Sequence, residues 1–408
     1  MLTKTRFMRK MRKGELLEGQ SISCMTFSKS ELNQFNMQGL RFNFCQFIDC
    51  EIEQANFNHA TFEHCKFHLS KFNRIQLNNA MFINCTIENV DFANIAANSM
   101  KLSESNVLNV TFDSSECDEF SVNESRIHCL HAKSTNFSGL NVMKTVIEHS
   151  IFDYCNLVFA NFYEITSRSI NFLSSKMTGC SFSKSTLIKS KFFESKCINL
   201  SLSMCQLTHS VVVKCDFTLA DFTKSTLFSV KFDQTNLKKA SMSLVNAEDV
   251  TMISCDLFKF GAHKAYFLRL NIAKCHLKES SWCNTKIDES DFSEVQGLKL
   301  SFFNSEIKRS NFYRARLVES GLSGAFIYQC NFTSANLLNS ELSKASCIFT
   351  SFLGANLFNC GFYNARFVEV NIKDALTNKY LERVIDKSLA QENHQPALVA
   401  RADQGAIC

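Results

Sequence analysis

The stretch Phe42-Asn43-Phe44-Cys45-Gln46-Phe47-Ile48-Asp49-Cys50-Glu51-Ile52-Glu53-Gln54-Ala55-Asn56-Phe57 decides the fold. A large apolar side chain stands at 42, 47, 52 and 57, and a small one stands two places before each of the last three, at Cys45, Cys50 and Ala55. A helix returns a face to the core every 3.6 residues and a strand every 2, so a period of five fits neither. Each quintet must therefore be a short extended piece followed by a corner. Read outward from here, the phase holds from Ile22 to Ile372, 71 positions five apart with no insertion. Nearly all are Phe, Leu, Ile, Val or Met; Ala, Cys and Trp282 are variants, and Ser167 and Gly297 are misfits. A fixed period this long outranks local propensity.

The number of quintets per turn is written in the identity of the large residue. Phenylalanine fills 8 of 18 positions in the class of Phe42, Phe62 and Phe82 and 11 of 18 in the class of Phe72, Phe92 and Phe112, against 5 of 18 and 3 of 17 in the two classes between. A four-sided coil of twenty residues accounts for this if two opposite walls supply rings and the other two supply aliphatics to one central volume, although a period of ten fits as well. Trp282 follows Ala262 by twenty, as volume compensation between stacked coils demands.

Quintets such as Ala335-Asn336-Leu337-Leu338-Asn339 and Ala355-Asn356-Leu357-Phe358-Asn359 resemble those of the pentapeptide-repeat family. The resemblance covers about residues 20 to 375. It implies an all-β fold, a right-handed quadrilateral β-helix. The expected order is a basic N-terminal segment or cap over 1–20, the repeat solenoid over 21–375, a short capping helix over 376–391 and a disordered tail over 392–408. The only proline, Pro396, lies beyond the repeats, and no Pro/Gly-rich linker divides them, so one long domain is expected.

Nineteen cysteines raise the question of disulfides or metal, and their phase answers it. Twelve occupy the small inward position, and Cys117, Cys197 and Cys347 occupy the central one, where thiols act as small hydrophobes. No CxxC or Cys/His zinc spacing occurs, so neither metal nor cofactor is expected. Two outward pairs twenty residues apart, Cys129 with His149 and His263 with Cys283, set a thiol beside a base. Nucleophilic catalysis also needs an orienting group, an oxyanion site and shelter from water, none of which the pattern supplies. The expectation is a protein that is not an enzyme, with these residues as solvent-facing ladder positions.

The outward columns are polar for the most part. Asn58, Asn78, Asn98 and Asp118 form a column whose side chains can bond up the stack, and two mixed columns, Glu104-Glu124-Lys144-Glu164-Lys184 and Lys239-Lys259-Glu279-Lys299-Glu319, mark solvated faces. Two columns are apolar: Leu298, Val318, Leu338 and Phe358, and the shorter Leu173, Phe193 and Val213. An apolar stripe on an already filled fold marks a contact surface. The longer one suits the chain's own tail, in which Leu376, Tyr380, Leu381, Val384, Ile385 and Leu389 recur at helical spacing; a partner or a homodimer through the C-terminal end is the alternative.

Charge excludes some classes of function. A net +5 on 408 residues is too mild for a nucleic-acid binder, and no apolar run is long enough to span a bilayer. Residues 40–135 hold seven Lys/Arg against twelve Asp/Glu, whereas residues 168–280 hold sixteen against eight. Phe7, Met8, Met11, Leu16 and Leu17 interleave with six cations, a segment that suits a cap on the first coil, contact with an acidic membrane surface or an uncleaved secretion signal. The first expectation is a protein-protein interaction scaffold, resembling the long family members secreted as enterobacterial type III effectors, so that it works in the bacterial cytoplasm or is delivered to a host cell without a cleaved signal peptide. The alternative is a DNA mimic protecting a type II topoisomerase such as gyrase, as the strongly acidic quinolone-resistance members of the family do. Only residues 113 to 124 approach the carboxylate density this needs.

Overall fold

A computed structural model describes residues 3–29 and 31–378, in two compact units: Met1–Thr226 with Asp233–Asn236, and Leu227–Phe232 with Leu237–Cys408. In both, with few exceptions, residues whose numbers end in 0, 2, 5 and 7 are buried and the rest face outward. These are the small and central positions of the quintet.

In the first unit the twenty-residue turn is explicit. The strand Arg41–Asn43 pairs in parallel with Thr61–Glu63, and that with Met81–Ile83, so that Phe42, Phe62 and Phe82 lie above one another. Their rings stack, with centroids 5.0 and 4.7 Å apart. Phe72, Phe92 and Phe112 stack likewise on the opposite wall, at 5.2 and 5.0 Å. The intervening wall meets them edge-on, as Phe42 does Phe47 at 67°. Offset stacking up a wall and edge contact across walls are both favourable ring geometries, so each phenylalanine gains beyond its buried area.

The corners explain why five residues suffice for a wall. The second residue after each central one is left-handed: φ is 54° at Phe44, 52° at Asp49 and 53° at His64. An L-residue loses about 1–2 kcal/mol there. In return the amide points along the coil axis, and Phe44 N–H donates to the Glu63 carbonyl at 2.9 Å, one coil on. Small inward residues complete the satisfaction of the interior. The Cys45, Cys50 and Cys65 thiols donate to the Ile22, Phe27 and Phe42 carbonyls, 3.2 to 3.4 Å away, and Ser70 Oγ donates to Phe47 O at 3.3 Å. Cys and Ser recur at this position because a short donor reaches a carbonyl of the preceding coil without opening the packing.

Packing loosens where the large residues shrink to Leu102, Val107, Val122, Ile127 and Val142. There the first unit holds a wholly apolar cavity of about 40 Å³, walled by these residues and by Phe92, Phe112 and Phe137 among others. Val122→Ile is expected to raise the stability of this unit by up to about 1 kcal/mol, the cavity volume taken at ~24 cal/mol per Å³. A rise in denaturation midpoint at unchanged m-value checks it; a fall means that the walls are already in contact.

Helix α1 (Lys4–Arg12) closes the N-terminal end. Thr3 caps it by accepting from Arg6 N–H, and Arg9, Lys10 and Arg12 sit in its last turn, where the helix dipole favours cations. Phe7, Met8 and Met11 are buried, and the Phe7 ring lies 5.8 Å from Phe27 in an edge contact, so the apolar face of the segment covers the first coil. Leu17 is buried as well, and Leu16, 76% exposed, faces solvent. Lys4 Nζ fastens the cap, donating to Thr26 O at 2.7 Å and Glu31 Oε2 at 2.8 Å, while Ser28 N–H donates to the same oxygen. Burial alone would raise the Glu31 carboxyl, but Lys4 and the Ser28 amide outweigh it and hold Glu31 below the usual carboxylate range. A depressed carboxylate stabilises the fold above its unfolded pKa and loses that contribution as pH falls through its folded one. Protection of the α1 amides from exchange should therefore fall as the pH drops below the ordinary carboxylate range, by less than ~1 kcal/mol because the pair is a third exposed. Unchanged protection on acidification would remove Glu31 from the account of the cap.

The second unit repeats the scheme. Strands Tyr266–Leu268, Lys286–Asp288, Glu306–Lys308, Phe326–Tyr328, Ser346–Ile348 and Arg366–Val368 pair successively in parallel, each twenty residues on. Trp282 is fully buried, with ring contacts of 5.3 to 5.5 Å to Phe260, Phe267 and Phe292, and its Nε1 donates to Ser280 Oγ at 3.2 Å. Ala262 lies under it, as Gly261 pairs with Ser281. Both misfits have local reasons. A Cβ on Gly297 would come within 2.9 Å of Leu300 Cδ2 and 3.2 Å of Leu317 Cδ2, so two leucines fill that place. Ser167, in the first unit, is buried between Ile147 and Leu187 and donates to Thr186 O at 3.5 Å. The ladder reaches Leu376, which pairs with Asn356; the tail positions Tyr380 to Leu389 and the segment 392–408 lie outside the described residues.

Candidate interaction surfaces

Apart from the small apolar cavity beside Val122, packing fills the interior of both units, so anything the protein recognises meets its outward positions. The polar columns behave as ladders. Asn58, Asn78 and Asn98 each accept, through the side-chain carbonyl, the backbone N–H of the residue one coil on, at 2.9 to 3.0 Å. Lys144 approaches Glu124 at 4.0 Å, Lys184 approaches Glu164 at 3.8 Å, Lys259 approaches Glu279 at 3.5 Å and Lys299 approaches Glu319 at 3.6 Å. Exposed pairs like these contribute at most about 1 kcal/mol each.

Neither thiol-base pair is built as a nucleophile with its base. Cys283 Sγ lies 3.2 Å from Ser281 Oγ and 3.3 Å from Ser301 Oγ, while the His263 ring leans over Gly261. His149 packs edge-on against His128 with ring centres 5.3 Å apart, and His128 Nδ1 is 3.6 Å from Glu148. Of the inward thiols, burial pushes Cys155 up to about 11 and Cys180 and Cys205 up to about 12, which keeps them un-ionised near neutral pH. Among the described residues no group of three or more His, Cys, Asp or Glu side chains is placed to hold a metal ion.

The apolar columns are brought together as the twenty-residue turn requires. In the first unit Leu173, Phe193 and Val213 are Cα partners on successive strands, all half-buried, on one flat wall. Ile151 and Val211 face out from the same wall. In the second unit Leu298, Val318, Leu338 and Phe358 stack at a corner, each carbonyl accepting from the amide of the preceding coil, as Val318 O does from Lys299 N–H at 3.0 Å. The first three are half-buried; Phe358 is 55% exposed.

Apart from Phe44, which stacks on His64 one coil on at 4.7 Å, several exposed rings form no column and so escape a search by twenties. Tyr154 and Phe159 are 65% and 71% exposed, and the Phe159 ring lies where a Cβ on Gly179 would come within 2.7 Å of it. Gly179→Ala should push that ring off the wall and cost about 1–2 kcal/mol, since φ is also +70° there. A denaturation midpoint within error of wild type would show that ring and backbone both yield freely. The signal available in the sequence was an aromatic residue at a left-handed corner, a place better suited to Asn or Gly. In the second unit Phe326, Tyr328 and Phe349 form a cluster with ring centres 6.3 and 5.8 Å apart; they belong to three different columns and meet only across the wall.

The family model described as pentapeptide repeats matches residues 201–238 and 310–346 in eight copies. Among solved structures, HetL of the cyanobacterium Nostoc sp. strain PCC 7120, a protein involved in heterocyst differentiation regulation, is 16% identical over 54% of this chain and 90% of its own, with a TM-score of 0.24. Full-length QnrB1, a plasmid-mediated fluoroquinolone resistance protein, is 14% identical over 51% of this chain and 91% of its own, at 0.22. The receptor-binding tailspike of bacteriophage Det7 is 8% identical over 79% of this chain and 72% of its own, at 0.29. Likenesses at this level say nothing of function. No curated protein sequence matches the chain significantly.

Proposed function

We propose, on the premise that this chain is a pentapeptide-repeat protein, that it is a non-enzymatic scaffold binding protein partners through its outward walls. The observation that supports this most is the pairing of an interior consumed by packing with apolar side chains held outward in register, Leu173-Phe193-Val213 in one unit and Leu298-Val318-Leu338-Phe358 in the other. A monomer gains nothing from exposing such stripes, and a partner that covers them does. In this reading the protein acts in the bacterial cytoplasm or, secreted without a cleaved signal peptide, inside a host cell as a type III effector.

The test is affinity capture from bacterial and host-cell lysates with the full chain and with two folded variants, Phe193→Asp and Leu338→Asp. A protein retained by the wild type and lost with either variant supports the proposal. Identical retention by all three removes the stripes from recognition and with them the reading.

A second reading, binding of a type II topoisomerase by DNA mimicry, rests on Glu116, Asp118 and Glu119. Partial burial, and then the Glu116 charge beside it, raise the Asp118 carboxyl above its usual range. Retention of gyrase or topoisomerase IV subunits that is lost on Glu116→Lys would favour it over the first.

A further inference from the structure

Five cations flank the stripe Leu173-Phe193-Val213, whose own column ends in Asp153 on one side and Asp233 on the other. Arg168 and Lys189 stand on the corner before this wall, Lys191 opens its strand, and Lys176 and Lys196 begin the next wall. All five are exposed, and none makes an ion pair among the described residues. Three acids on the flanks are engaged elsewhere. Glu194 lies 3.5 Å from Lys214, Glu148 faces His128 at 3.6 Å, and Asp216 accepts from Thr218 and Asn236.

The two lysines bear the sharper sign. Lys176 and Lys196 are in-register partners on adjacent coils, roughly 4.8 Å apart at the backbone. Like charges set directly opposite one another destabilise a sheet, and in several other outward ladders a lysine meets a glutamate one coil away. Here the column's only nearby acid is Asp216, in register with Lys196 and already accepting from Thr218 and Asn236, so Lys176, between Asn156 and Lys196, has no carboxylate beside it in the column. Lys191 Nζ lies 4.8 Å over the Phe193 ring, so that cation and the apolar stripe form one surface.

The geometry points to an acidic amphipathic helix of a partner protein as the occupant of this wall. This deepens the scaffold reading, on which it rests, by giving the partner's chemistry. A helix laid along the stripe presents an apolar residue about every 5.4 Å, close to the ~4.8 Å spacing of Leu173, Phe193 and Val213. Its carboxylates on either side then stand over Arg168, Lys189 and Lys191 on one flank and over Lys176 and Lys196 on the other. The apolar contact supplies affinity, and the two basic flanks set orientation and exclude basic partners. A nucleic acid would use the cations but leave three apolar side chains exposed.

The test uses the immobilised full chain to select from a displayed library of random peptides of about sixteen residues, with the double variant Lys176→Glu/Lys196→Glu as counter-selection. Peptides kept by the wild type and lost on the variant should be rich in Asp and Glu, with Leu, Ile or Phe at helical spacing. The best of them, labelled for fluorescence anisotropy, should bind the double variant and Phe193→Ser each about tenfold more weakly, and bind the wild type less well as salt rises to roughly 0.5 M. Thermal unfolding of the variants serves as the control for folding. Selected peptides that are neutral or basic, or that bind the double variant equally, overturn the proposal, as does preferential binding of duplex DNA or phosphatidylserine vesicles by the same residues. A lysate protein whose capture ignores Lys176→Glu/Lys196→Glu but fails with Phe193→Asp would sink this inference and leave the scaffold reading standing.

Discussion

Trp282→Ala is expected to lower the stability of the second unit by about 3–5 kcal/mol, the largest loss any single truncation should cause in it. The indole is fully buried and touches Phe260, Phe267 and Phe292 from three walls, so its removal opens a void that no one neighbour can close. Ala262, one coil below, is too small to rise into it. The fixed register prevents coils from sliding together, because each is held by backbone bonds to the next. Trp282→Phe keeps most of the volume and should cost about 1–2 kcal/mol, part of it the lost indole bond to Ser280 Oγ, which keeps its own bond to the Leu277 carbonyl. Trp282 is the only tryptophan, so circular dichroism must follow the variants, while fluorescence reports on the wild type alone. A loss under about 1 kcal/mol for the alanine variant would show that the coils collapse around the gap and that packing is softer than the ring contacts indicate.

Phe7→Ala acts differently, because it strikes an end. Phe7 is the anchor of α1 on Phe27, and losing it should cost the cap about 3 kcal/mol or more, enough to lift the helix off the first coil. Repeats touch only their neighbours, so the damage stays local. Amides of α1 and of the strands Ser21–Ser23 and Thr26–Lys29 should lose protection from exchange, while those beyond about residue 60 keep theirs. The uncovered strand edges can then pair between molecules, and light scattering should show concentration-dependent association. Loss of protection throughout the first unit would contradict the local account, and unchanged protection would mean that Lys4 and Met11 hold the helix without the ring.

Much of this was readable beforehand, and the reason is geometrical. A five-residue quintet has two inward positions, and the chain never breaks phase between Ile22 and Ile372, so nearly every buried residue of the repeats could be named by counting. The choice between ten and twenty residues per turn could not be made by counting alone; the pairing of Phe42 with Phe62 makes it. Ser167 and Gly297 stood out as misfits until their neighbours were placed: Leu300, from the small position, and Leu317, the central residue one coil on, fill the Gly297 site. The N-terminal segment had three readings, and burial of Phe7, Met8 and Met11 supports the cap. Surface recognition was less legible. Columns repeating every twenty residues revealed Leu173, Phe193 and Val213, but Tyr154, Phe159 and the Phe326-Tyr328-Phe349 cluster have no periodic signature, since rings from different columns meet only once the walls are folded. The cavity beside Val122 was hidden because each of its small residues is acceptable singly, and only their sum over successive coils leaves space.

The twenty-residue register also governs how such a molecule can change length over generations. Within a unit, gaining or losing twenty residues adds or removes one whole coil and leaves every later side chain on its own wall. A gain or loss of five keeps the inward pattern intact, so the chain still folds, yet it rotates everything downstream by a quarter turn. Lys196 would leave Lys176 for another wall, and Phe193 would no longer stand above Leu173. Lineages of this protein should therefore tolerate five-residue steps in stability while losing inherited surfaces at each one, and heritable recognition should survive only in jumps of twenty.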